Sequence, residues 1–74
     1  MDTIYIRLLN EGVEVVRPTS AELLNSGLYK VHPTPNYDPQ DEQWEFVPGS
    51  IVKVVKKTMA DGELLVAVAA DSSA

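Results

Sequence analysis

Along much of this chain apolar and polar residues alternate with a period of two, and glycine-ended triplets interrupt the alternation. Ile4, Ile6 and Leu8 recur on one side of a run over residues 3–9, with Tyr5 and Arg7 on the other. Asn10-Glu11-Gly12, Asn25-Ser26-Gly27 and Ala60-Asp61-Gly62 each separate two stretches rich in aliphatic or aromatic residues. Glycine adopts positive φ with least strain, and three-residue hairpin bends end on such a residue. The repeated triplet therefore predicts a meander of antiparallel strands. The strands are expected over residues 3–9, 13–24, 28–32, 50–59 and 63–70. The second should bend near Pro18, because proline cannot donate to a ladder.

Pairing across the bends sharpens this picture. With Asn25-Ser26-Gly27 as a bend, Leu23 faces Tyr29 and Glu22 faces Lys30, an apolar pair and an ion pair on opposite faces. With Ala60-Asp61-Gly62 as a bend, Val54 faces Val68, and Val52, Val54, Leu64, Val66 and Val68 line one face. With Asn10-Glu11-Gly12 as a bend, Ile6 faces Val16 and Tyr5 faces Arg17, a cation beside a ring. Residues 19–26 have a rival as a helical turn, since Thr19-Ser20-Ala21-Glu22 fits a capping box.

A long loop is expected over 33–43, followed by an extended piece at 44–47 and a Pro48-Gly49 turn. Inside the loop, Asp38-Pro39-Gln40-Asp41-Glu42 reads as about one turn of helix, with Asp38 as cap and Pro39 at the first helical position. Five short strands in 74 residues close most economically into a barrel, which buries the aliphatic face and shields the sheet edges. The predicted fold is all-β: a five-stranded antiparallel SH3-like barrel, residues 1–70 forming one domain and 71–74 a frayed tail.

Three stretches carry a resemblance: Ile4-Tyr5-Ile6-Arg7-Leu8-Leu9 with Glu11-Gly12, then Val16-Arg17-Pro18, then Trp44-Glu45-Phe46 with Pro48-Gly49-Ser50-Ile51-Val52. Together they resemble a group of small uncharacterised bacterial proteins over roughly residues 3–70. That resemblance implies no catalytic or binding residue. The segment from Phe46 through Pro48-Gly49 to Val54 is also similar to the turn and following strand of many SH3-like barrels, which bears on fold alone.

Charge narrows the function classes. Six Lys and Arg against eleven Asp and Glu leave a net charge of −5. Phosphate neutralisation and anionic-lipid binding both need the opposite balance, so nucleic acid is the least favoured partner and a membrane is not expected. With no basic leader before an apolar run, the chain reads as cytoplasmic. No cysteine and a single histidine, His32, leave no zinc set or catalytic triad, so the chain reads as non-enzymatic and without a cofactor.

Three constellations remain. Asp38, Asp41, Glu42 and Glu45 form an acidic run that suggests a hard-cation or small-ligand site over residues 38–45, although the EF-hand glycine is missing and Pro39 intrudes. Tyr5, Arg7, Arg17, Tyr37 and Trp44 are the candidate protein-binding residues: an aromatic and arginine outer face on the first two strands, joined by the 33–47 loop with Tyr37 as its most exposed ring. Arg7 and Arg17 also suit a structural role, paired with Glu14 or Glu45. Finally, Ile51, Val55 and Leu65 form an apolar outer patch flanked by Lys53 and Lys57, which suggests a homodimer. The leading reading is an interaction module that binds another protein.

Overall fold

The computed structural model describes residues 1–60 and 62–70; Asp61 and the predicted tail 71–74 lie outside the described residues. Five strands follow in order: β1 (Asp2–Arg7), β2 (Val16–Leu23), β3 (Tyr29–Val31), β4 (Ile51–Met59) and β5 (Gly62–Ala69). They form one closed barrel in chain order, so the all-β, SH3-like meander expected from the glycine-ended bends is the fold. Residues 19–23 are strand, not helical turn. Among the described residues no helix is long and apolar enough to cross a membrane.

Closure follows from strand parity. Successive strands of a meander alternate in direction, so the first and fifth run the same way and their seam must be parallel. That seam is short: among the described residues Tyr5 and Val66 are the one ladder pair that joins β1 to β5. The interior is filled by Ile4 and Ile6 of β1, Ala21 of β2, Val31 of β3, Val52 of β4 and Ala67 of β5, together with Trp44 from the long loop. Thr19 is the one buried polar residue among those described, and its hydroxyl donates to the His32 carbonyl at 2.5 Å.

The second bend forms in the expected register, Glu22 opposite Lys30 and Leu23 opposite Tyr29, with Gly27 at φ +79°. The other two bends differ from expectation by one residue each. In β4–β5, Val54 faces Ala67 and not Val68, and Val55 faces Val66. Gly62, at φ +111°, is the first residue of β5 paired with Met59, not the last residue of a three-residue loop. A one-residue shift turns every side chain of the strand over. Ala67 therefore joins the core, whereas Leu64, Val66 and Val68 belong to the opposite face. Both faces of β5 are apolar, so its pattern could not choose between them; interior volume does. A narrow barrel already holding Ile4, Ile6, Val52 and Trp44 accommodates alanine where valine would crowd it.

In β1–β2, Ile6 faces Arg17 and Tyr5 faces Pro18, so Arg17 does not stand beside Tyr5. The cause lies in the loop. Leu8 keeps a hairpin bond, its N–H donating to the Val15 carbonyl at 2.9 Å. On the other side Leu8 and Leu9 pair with residues 43–45: Leu8 bridges Trp44, the Leu9 N–H donates to the Gln43 carbonyl at 2.6 Å, and the Glu45 N–H to the Arg7 carbonyl at 2.9 Å. The bend widens to residues 8–15, and Asn10, not Gly12, takes the left-handed conformation at φ +63°.

That widened loop folds back over the seam. The Glu14 carboxylate lies 2.6 Å from Lys57 Nζ on β4 and 3.4 Å from Arg7 Nε on β1, the two strands that flank β5. A carboxylate reaching both spans the outer surface of β5. Val66, fully buried yet outside the core cluster, lies on that surface. Lys57, donating to Glu14, holds the Glu14 carboxyl below its ordinary value of 4.5; Arg17, donating to Glu42, does the same there, helped by the Trp44 indole. A carboxylate whose folded pKa is depressed contributes stability that is complete above its unfolded pKa and lost as pH falls through the folded one. The urea midpoint is therefore expected to hold from neutrality to about pH 5 and to fall below about pH 4.5. In Glu14→Gln, Glu42→Gln the fall should be shallower, and an unchanged slope in that double variant contradicts the assignment.

Candidate functional site

The long connection between β3 and β4 forms one wall of the candidate site, and its position follows from where β3 stops. β3 has only three residues, so β2 from Val16 to Ser20 pairs with β1 alone and leaves an open edge. Pro18 sits there without costing a ladder bond. The departing chain closes part of that edge: the His32 N–H donates to the Ser20 carbonyl at 3.0 Å. His32 is half-buried, its Nε2 3.5 Å from Glu22.

From there the loop turns twice. The Tyr37 N–H donates to the Thr34 carbonyl at 3.1 Å. The Asp38 carbonyl then accepts from both Asp41 and Glu42 at 3.0 Å, and its side chain caps the Gln40 N–H at 2.9 Å. Asp38 caps as expected, but residues 39–41 close a hydrogen-bonded turn and not the expected turn of helix. The effect is to aim Tyr37 inward. Expected as the most exposed ring, Tyr37 is instead half-buried and meets Trp44 edge-on, 4.7 Å between centroids at 65°. Trp44 itself is only 3% exposed, packed with Ile4, Ile6 and Val52 while its indole N–H donates to Glu42 at 3.1 Å. Phe46 packs on the same core and Glu45 is exposed, as period two predicts for 44–46.

Two hollows result. One, about 380 Å³, is lined by Arg17, Thr34, Asn36, Asp38, Asp41 and Glu42. The other, about 240 Å³, lies between Thr3, Pro18, Thr19 and Ser20 on β1–β2 and Pro33, Thr34 and Pro35 of the loop. Thr34 lines both, so the two hollows adjoin at that residue. Arg17 is ion-paired with Glu42 at its wall.

The five residues singled out from sequence are thus divided. Arg17, Tyr37 and Trp44 come together, the two rings as support behind the groove and not as its surface. Tyr5 is next to it, opposite Pro18. Arg7 stands apart, between Glu14 and Glu45 at 3.4 and 3.9 Å, in the pairing role that was its alternative. The acidic run is dispersed as well: Glu42 faces Arg17, Glu45 faces Arg7, and among the described residues no three His, Asp or Glu side chains converge as metal ligands. Thr3, Ser20, Thr34 and Asn36 went unnoticed in the sequence. Pro33-Thr34-Pro35 was the available signal, because two prolines around one residue mark chain that lies on a surface without joining a ladder.

Comparison with protein-family models, with curated proteins and with solved structures finds no match to this chain.

Proposed function

We propose that this protein is a non-enzymatic interaction module that holds an extended segment of another protein in the groove between the β1–β2 face and the 33–42 loop. The observation that carries this reading is that Thr34 borders both hollows. Prolines 18, 33 and 35 give one end a rigid apolar wall, which suits a segment held in polyproline or extended form. The other end has three carboxylates, of which Glu42 is occupied by Arg17, whereas Asp38 and Asp41 have no cation within 4 Å among the described residues. The favoured ligand is therefore an extended segment carrying basic residues.

Titration of the isotopically labelled protein with a synthetic peptide alternating proline and lysine tests this. Saturable amide shifts are expected at Thr34, Asn36 and Asp41, with affinity reduced about tenfold or more in Asp41→Lys. Shifts absent from the groove, or unchanged affinity in that variant, contradict the reading. Amide shifts of Asp38 and Asp41 with calcium alone would replace it with a cation site.

A further inference from the structure

β4 is nine residues long, but β3 accompanies it only at Ile51 and Val52. From Lys53 to Met59 it pairs with β5 on one side and, among the described residues, with nothing on the other. Alternate residues of that stretch turn their N–H and C=O groups to the unpaired side, as a strand requires. An open edge of this kind accepts an added strand.

Its side chains say which strand. Lys53, Val55 and Lys57 share the outer face, with Val55 45% exposed between the two lysines. Lys56 lies on the other face. Half of the chain's six basic residues are in this one strand of a protein with net charge −5. Lys57 is held by Glu14, whereas Lys53 and Lys56 have no carboxylate within 4 Å among the described residues. A second copy added here would set lysine-bearing edges against each other, which is the usual device against self-pairing.

We propose that the 53–59 edge of β4 takes up an extended acidic segment of a partner protein as an added strand. On the outer face that segment places an acidic residue beside Lys53 and an aliphatic one beside Val55. Ladder hydrogen bonds hold the segment, and the lysines select its charge. This edge is separate from the Thr34 groove, so either proposal can fail without the other.

The test uses a short synthetic peptide alternating threonine with glutamate, valine and glutamate. Binding is expected to slow amide exchange within residues 53–59 and to leave Thr34 and Asn36 unmoved. Lys53→Glu should weaken it about tenfold or more, and methylating alternate peptide nitrogens should abolish it. The proposal is overturned if exchange at 53–59 is unaffected, if a lysine-substituted peptide binds equally well, or if sedimentation shows two copies joined through this edge.

Discussion

Replacing Trp44 by alanine is expected to cost about 3–5 kcal/mol, the range for truncating a large buried aromatic residue. A chain of this length has roughly 4–11 kcal/mol in total, so the variant should lose from about a quarter to all of its stability. The size of the effect follows from where the residue sits. Trp44 fills the interior beside Ile4, Ile6 and Val52, backs Tyr37, and fastens the loop to β1 through its bridge to Leu8. Trp44→Phe retains most of the packing and loses the indole donor to Glu42, so it should cost less, about 1–2 kcal/mol. Chemical denaturation followed by circular dichroism separates the two. A Trp44→Ala protein as stable as the parent would show that the loop does not complete the core.

The second large effect concerns β5. Ala67 is fully buried between interior residues, so Ala67→Leu must push against a filled barrel and should destabilise by about 1–3 kcal/mol. Val68 is half-buried on the opposite face, and Val68→Ala should cost about 1 kcal/mol or less. The three-residue bend predicts the reverse ranking, with position 68 inside and position 67 free to enlarge. Unfolding midpoints of the two variants therefore distinguish the registers.

What could be read from the sequence divides by how strongly local chemistry constrains each choice. The number of strands, their order and the β2–β3 register were legible, because Glu22 opposite Lys30 and Leu23 opposite Tyr29 satisfy both faces in one alignment only. The β4–β5 register was not, since Leu64, Leu65, Val66, Ala67 and Val68 are apolar on either face and only interior volume decides among them. The β1–β2 register depends on a contact remote in sequence: Leu8 and Leu9 pair with Gln43 and Trp44, which nothing near the bend announces.

The candidate site divides the same way. Trp44, expected on a protein-binding face, is buried, whereas the cap at Asp38 was legible from its side chain and the proline after it. The groove was not, because it exists only where a three-residue β3 leaves β2 uncovered and Thr34 crosses that gap. The expected outer patch of Ile51, Val55 and Leu65 also changes with register. Leu65 lies opposite Lys56 on the other face, leaving Ile51 and Val55 exposed beside Lys53. In exchange Leu64 and Val68, both half-buried, come to the outer face.

The fold is a five-stranded sheet closed on itself by a parallel seam, with β5 in the alignment that sends Ala67 inward. Nuclear Overhauser contacts in the labelled protein test it most directly. Cross-strand contacts that set Val54 opposite Ala67 are expected, together with contacts between Tyr5 and Val66 across the seam. Val54 opposite Val68, with Tyr5 remote from Val66, would contradict it.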